Sequence, residues 1–245
     1  MCVAGRRHGR RAVVLAKRSR PFAVPAHRRK TMTTTQTDDR IATNERIDPV
    51  TLLQRTSHAI AFAPGTLPPM ALRRIAEAGR LSPSLYNTQP VRFVVVRDRS
   101  AYDKLRSGCN TSRDTFVRAR KLFATMNKRL KNPAFVAGVE RQAKGDVLPP
   151  DGYAIVPLHD DRLTESVEAA SCALMAMQLE ATSLGLASAF CSWTRGLSFQ
   201  KEMVAMLGIP EGFKPFTSLI VGLPTHPLVT SEKQRRAFDD AVTWV

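Results

Sequence analysis

The chain has 245 residues, 43% of them hydrophobic, and a formal net charge of +16. It is long enough for one substantial core and too apolar for wholesale disorder, and no apolar run reaches the length of a membrane span. Ten Lys or Arg and no acid fall within residues 1–31, leaving +6 on the rest, so the basic excess marks a leader and not a nucleic-acid-binding domain. The leader's longest apolar run, Ala12 to Ala16, is too short for a secretory core. A transit peptide, a twin-Arg export signal at Arg6-Arg7 or Arg10-Arg11, and a basic arm for nucleic acid are the functional alternatives. The favoured expectation is that translation starts at Met32 and that residues 1–31 take no part in the chemistry. Residues 32–47 read as a flexible linker, and 48–245 as one domain. Cys2, Cys109, Cys172 and Cys191 form no close pair and have no His at ligand spacing, so no metal site is expected. A reduced, cytoplasmic protein is the simplest account.

In chain order, an opening helix is expected over Pro49 to Ser57, then an amphipathic helix from Pro68 to Arg80 with Leu72, Ile75, Ala76 and Gly79 at helical spacing. A polar loop bracketed by Pro83 and Pro90 leads into a β-branched strand, Arg92 to Val96. Asp98 to Leu105 reads as a turn and helix start, and Thr115 to Arg129 as a basic amphipathic helix with Phe116, Ala119, Phe123 and Met126 on one face. Pro133, Gly138, Gly145 and Pro149-Pro150-Asp151-Gly152 then break the pattern, giving either a lid or pocket wall or a surface excursion. From Thr164 to Leu186 a helix is expected, capped by Thr164 and ended near Gly185. It is apolar nearly all round, so it is either the central core helix or a subunit interface. Ala187 to Trp193 follows as a strand or tight loop, then a helix from Phe199 to Leu207 with Ser198 as cap. A turn at 209–212 leads to a strand over Phe216 to Val221. Strands separated by helices without a βαβ repeat indicate an α+β sandwich.

The loop between helix and first strand, Ser82-Pro83-Ser84-Leu85-Tyr86-Asn87-Thr88-Gln89-Pro90, is the most informative stretch. Its prolines stiffen it, and Ser84, Asn87 and Gln89 offer hydroxyl and amide groups suited to a flat ligand with both donors and acceptors, such as a flavin's pyrimidine edge. The order of residues resembles the Pro-Ser-Ser-x-Asn-x-Gln-Pro-Trp-x-Phe motif of the nitroreductase family, whose members depend on flavin mononucleotide (FMN). Arg55-Thr56-Ser57 is similar to the family's Arg-x-Ser, and Lys233-Gln234-Arg235-Arg236 to its C-terminal Lys-Pro-Arg-Arg. Segments 183–188, 207–212 and 221–224 extend the likeness over roughly Leu52 to Val245.

The resemblance implies a nitroreductase-like α/β sandwich with a central, mostly antiparallel sheet flanked by helices. It implies a homodimer with FMN at the interface. Pro83, Ser84, Asn87 and Gln89 would touch the ribityl chain and ring, Arg55, Ser57, Lys233 and Arg235 would hold the phosphate, and backbone N–H groups around Phe190 to Ser192 would face the pyrimidine edge. The implied activity is FMN-dependent reduction of small electron-poor compounds (nitroaromatics, quinones or enones) by NAD(P)H, through ping-pong hydride transfer that needs no catalytic side chain. Cys191 and His159 accordingly read as packing or loop residues. The alternative is a non-catalytic flavin-binding storage or sensor protein. It draws support from two departures: Ala59 stands where the family has a second basic residue, and the Gly expected after the Ala187–Ser192 strand is not clearly present, Ser192-Trp193-Thr194-Arg195 intervening. Leu85 in place of the second Ser and Val91 in place of the Trp imply an altered flavin pocket. His58, beside Ala59, could substitute for the missing cation.

Overall fold

The computed structural model describes residues 48–56, 58–123, 132–142, 145–228, 235 and 237–245, all within the compact unit Arg46–Val245. The expected leader and linker, Ser57, Lys233 and the end of the helix expected over Thr115 to Arg129 lie outside the described residues.

Two helices open the domain. The first, α1 (Pro49–Arg55), has proline in its first turn and Asp48 as cap, whose Oδ2 accepts from Thr51 N and Thr51 Oγ1, both at 3.1 Å. The second, α2 (Pro69–Arg80), buries Leu72, Ile75 and Gly79. Gly79 is required by close approach, since a Cβ there would lie 2.9 Å from Met177 Cγ and 3.0 Å from Phe93 Cε1.

A five-stranded sheet forms the centre, with β1 (Val91–Val96), β2 (Tyr153–Asp160), β3 (Ala187–Cys191), β4 (Phe213–Pro215) and β5 (Ser218–Gly222). The order is β1-β2-β5-β3, β4 also pairs with β2, and every pairing is antiparallel. This is the expected α+β architecture. Strand β2 was not anticipated, although it pairs with three others. It carries Pro157, which argues against a central strand. The carbonyl of Pro157 accepts from Phe216 N (2.7 Å), so its donor-less nitrogen faces the same side, in the gap where β5 hands over to β4. No ladder bond to β1 is lost.

Each sheet face has its own apolar cluster. On one, Val96, Ala154, Val156, Leu158, Ala189 and Ile220 pack with Tyr102, Leu105 and Cys109 of the long helix α3 (Arg99–Phe123). On the other, Ile155, Leu219 and Val221 meet Leu72 and Ile75 of α2 and Ala170, Leu174 and Met177 of α5 (Ser166–Ser183). Helix α5 also packs against α1, which is why its sequence is apolar on nearly every side. Helix α4 (Pro133–Gln142) begins at a proline read above as a breaker, a residue equally suited to a first helical position. Neither expected side-chain cap forms. Thr164 bonds the Glu165 carboxylate, and Ser198 lies in a 3₁₀ segment, Ser192–Phe199, that precedes α6 (Lys201–Leu207). A short α7 (Phe238–Ala241) lies near the C-terminus. Among the described residues, no helix is long and apolar enough to cross a membrane.

Candidate functional site

The loop after α2 is held in an unusual backbone conformation. Tyr86, Asn87 and Gln89 have φ values of +50°, +56° and +47°, all in the left-handed region that disfavours residues with a Cβ. A 3₁₀ turn at Leu85–Asn87 starts the bend, with Asn87 N and Thr88 N donating to the carbonyls of Ser84 and Leu85 at 3.0 and 3.1 Å. Gln89 N donates to Ser84 Oγ (2.9 Å), and Gln89 Nε2 donates to Asn87 Oδ1 (3.1 Å). Three of the expected ligands are thus tied into one cluster. Asn87 Nδ2 is left as a donor and Gln89 Oε1 as an acceptor, a set that matches a ring edge bearing both kinds of group. Pro83 precedes the cluster on the exposed side. Pro90 closes it from a buried position, its carbonyl accepting from Asp160 N of β2 (2.9 Å).

Beyond Pro90, the Asp160 carboxylate takes two hydrogen bonds from the Arg162 guanidinium, at 2.8 and 2.6 Å. That partner pulls the Asp160 pKa down to about 2. His159 hydrogen-bonds Ser166 Oγ (3.0 Å) and stands edge-on to Phe216. Burial, its largest influence, lowers the His159 pKa. It has the surroundings of a packing residue, as expected.

A second constellation stands at the opposite edge of the sheet. A cavity of about 180 Å³ is walled by His58 and Ile60 after α1, by Leu148 and Pro149 before β2, and by Phe190 and Trp193 at the end of β3. Ala59 N donates to Ser188 O (2.8 Å), and Phe62 packs against Gly222, fixing the 58–62 segment to β3 and β5. Ala59 packs against the core, so no cation stands at that position. Its neighbour His58 lines the cavity, and desolvation there lowers its pKa, favouring the neutral imidazole. Arg55 ends α1, three residues before His58, and Arg235 lies exposed ahead of α7. Ser57 and Lys233 lie outside the described residues.

The structure therefore gathers Ser84, Asn87 and Gln89 at the β1 edge and sets the segment after Arg55 against the β3 edge, three strand spacings or about 14 Å away. A larger groove, about 440 Å³, lies between α2 and β1, lined by Arg73, Glu77, Arg80 and Arg97 among others, and holds none of the motif residues. Leu148 and Pro149, at the end of the interrupted insert read above as a pocket wall or a surface excursion, line this cavity, whereas the Trp193 side chain had no sequence signal. Trp193 packs edge-on against Phe116 of α3 at 5.6 Å between ring centroids, a pairing of residues too distant in sequence for any spacing to show.

A model of the Nitroreductase family matches residues 52–223. No curated protein sequence matches significantly. Among solved structures, a nitroreductase with bound FMN from Desulfitobacterium hafniense is similar at 21% identity, covering 80% of this chain and 97% of that one, with a TM-score of 0.61. The FMN-bound nitroreductase from Bacteroides fragilis is similar at 19% identity, with the same coverage and a TM-score of 0.60. An iodotyrosine deiodinase bound to FMN and 3-iodo-L-tyrosine is similar at 19% identity, covering 76% of this chain and 95% of that one, with a TM-score of 0.56.

Proposed function

The chain belongs to the nitroreductase family, and from that premise we propose that it is an FMN-dependent oxidoreductase that uses NAD(P)H to reduce a small electron-poor compound. The observation that carries this reading is the loop at 83–90. Three non-glycine residues held at positive φ are a standing backbone strain, and such strain persists where it presents groups to a ligand. Here those groups are the free donor of Asn87 and the free acceptor of Gln89.

FMN, when bound, would supply two-electron redox chemistry between a nicotinamide and the acceptor. The chain's own groups then have definite tasks. Asn87 and Gln89 would fix the ring against rotation, Arg55, Lys233 and Arg235 would offset a phosphate monoester carrying about −1.5 to −2 charges near neutrality, and the Ser57 hydroxyl would donate a hydrogen bond to it. At the β3 edge, backbone N–H groups around Phe190 to Ser192 would face the pyrimidine side and favour negative charge there. The cavity is too small for a whole flavin, since ligand pockets run from roughly 300 Å³ upward, so it suits one edge of a ligand whose other parts rest on a second surface. With the loop and the cavity at opposite sheet edges, a homodimer sharing each flavin between two copies accounts for both. Nitroaromatics, quinones, enones and halogenated phenols are the candidate acceptors.

Ala59 favours a second reading, a flavin-binding storage or sensor protein, because the packed backbone there leaves the phosphate with one cation fewer. An anaerobic absorption spectrum with and without NADPH separates the two. A yellow protein that bleaches supports the reductase, and one that stays yellow supports storage or sensing. A colourless protein that also fails to take up added FMN overturns both readings.

A further inference from the structure

The cavity at the β3 edge carries a carboxylate that plays no part in the function proposed above. Asp146, in the loop between α4 and β2, lines it, and no Lys or Arg among the described residues lines it as well. The carboxylate is held from α3. Asn110 Nδ2 donates to Asp146 Oδ1 (2.7 Å), and Asn110 Oδ1 accepts from Val147 N (2.9 Å), so one side chain clamps two consecutive residues of the cavity wall. Arg106, about one turn earlier on α3, has a guanidinium nitrogen 3.4 Å from Asp146 Oδ2 and another 3.2 Å from Asp103 Oδ1. Shared between two carboxylates, Arg106 leaves one negative charge uncompensated. Two carboxylate oxygens offer about four acceptor sites, and Asn110 and Arg106 engage only some of those on Asp146, so it has room for a further donor.

The rest of the cavity does not cancel that charge. Burial lowers the His58 pKa, so its imidazole is neutral near pH 7 and brings no cation. Phe190 and Trp193 add aromatic surface, whose ring faces attract cations. The Asp146 side chain is 52% exposed, which places it at the rim where a ligand enters. The chain as a whole carries +16, so a negative rim is a local feature and not a reflection of bulk charge.

We propose that this cavity binds an aromatic group bearing a protonated amine, with the ammonium on the Asp146 carboxylate and the ring against Phe190 and Trp193. Asp146 is then a specificity residue for the electron acceptor: it favours electron-poor aromatics with an ammonium side chain over neutral or anionic ones of the same size. The acceptor's identity rests on the flavin reading, whereas the binding preference does not. A hydrogen bond from an ammonium to a half-exposed carboxylate favours the cation over its neutral isostere by about three- to tenfold. Asn110 is the positioning residue, since it fixes the carboxylate and the backbone beside it.

The binding test needs no flavin. The full chain carrying Trp244→Phe, which leaves Trp193 as the remaining indole, is titrated by fluorescence with benzylamine, benzyl alcohol and benzoate near neutral pH. Benzylammonium should bind about three- to tenfold more tightly than benzyl alcohol, with benzoate weakest. Asp146→Asn keeps the side-chain volume and an acceptor for Asn110, and should bring the amine and the alcohol to parity at an unchanged Tm. Asp146→Lys should reverse the order, toward benzoate. Equal affinities in the parent, a preference that survives Asp146→Asn, or no change in Trp193 emission with any of the three would overturn the proposal. With FMN and NADPH added, the kcat/KM of para-nitrobenzylamine over para-nitrobenzyl alcohol should show the same preference and lose it in Asp146→Asn. Turnover without that preference would overturn the proposal and leave the reductase standing, whereas selective binding without turnover would uphold the site and overturn the reductase.

Discussion

Gln89 offers a test of backbone strain that is nearly free of side-chain effects. It is exposed, with φ at +47°. Replacing it with Ala or Gly removes the same amide, so the bond from Nε2 to Asn87 Oδ1, about 0.5 kcal/mol at an exposed site, is lost equally from both variants. The bond from Gln89 N to Ser84 Oγ is available to both. What differs is the Cβ. A left-handed L-residue costs roughly 1–2 kcal/mol that glycine avoids, against which glycine's freer unfolded chain costs about 0.4–1 kcal/mol. Gln89→Gly should therefore be more stable than Gln89→Ala by about 1 kcal/mol, the reverse of the order at an ordinary loop position. In urea, with a slope of about 2 kcal/mol/M for a domain of this size, the midpoints should differ by roughly 0.5 M. Trp193, packed on Phe116, provides the fluorescence signal. An alanine variant as stable as the glycine variant would show that the loop is not strained and remove the main support for its role as a ligand clamp. Both variants should bind FMN more weakly than the parent, since both lack the amide.

Gly222→Ala drives a Cβ into Phe62 Cγ; overpacking of about 1–3 kcal/mol should lower the Tm by several degrees in calorimetry and loosen the His58–Ile60 wall, weakening ligand binding with it. Tyr102→Phe removes the buried hydroxyl that donates to Pro149 O at 2.7 Å, so the urea midpoint should fall by an amount equivalent to about 1–2 kcal/mol. Asp160 has a folded pKa of about 2, below its unfolded value of about 3.9. Its contribution to stability is therefore complete above the unfolded value and lost as pH falls through about 2. Arg162→Gln should move acid unfolding, followed by near-UV circular dichroism, to higher pH; an unchanged midpoint would mean that the pair does not stabilise the fold.

The legible parts of this chain were those whose local chemistry agrees with their tertiary role. Pro49 starts α1, the Leu72–Ile75–Gly79 stripe faces the sheet, and the apolar circumference of α5 reflects neighbours on several sides. The Ser84, Asn87 and Gln89 cluster was legible because the ordered motif carries its own geometry. What stayed hidden depends on long-range placement. Strand β2 was masked by Pro157, His159 and Asp160, whose polarity and missing donor are accommodated by a ladder handover that no local pattern records. The helices on either side of residue 110 looked like two elements because Gly108 and Asn110 interrupt the pattern, yet α3 runs through both. The cavity wall joins segments that only the finished sheet brings within reach.

The position of β2 also bears on how quickly the chain reaches this state. Its ladders join Val91 to His159 and Tyr153 to Val221, each closing a loop of roughly 70 residues before any bond rewards the closure. The central strand cannot rest on a local hairpin, because both of its long partners are far away along the chain. Helical pieces such as α2 and α5 can form early, whereas the sheet must wait for two distant encounters. That ordering places the domain among slow folders of high contact order. It also leaves β2 a transiently unpaired apolar strand, the segment of the nascent chain most in need of protection from aggregation.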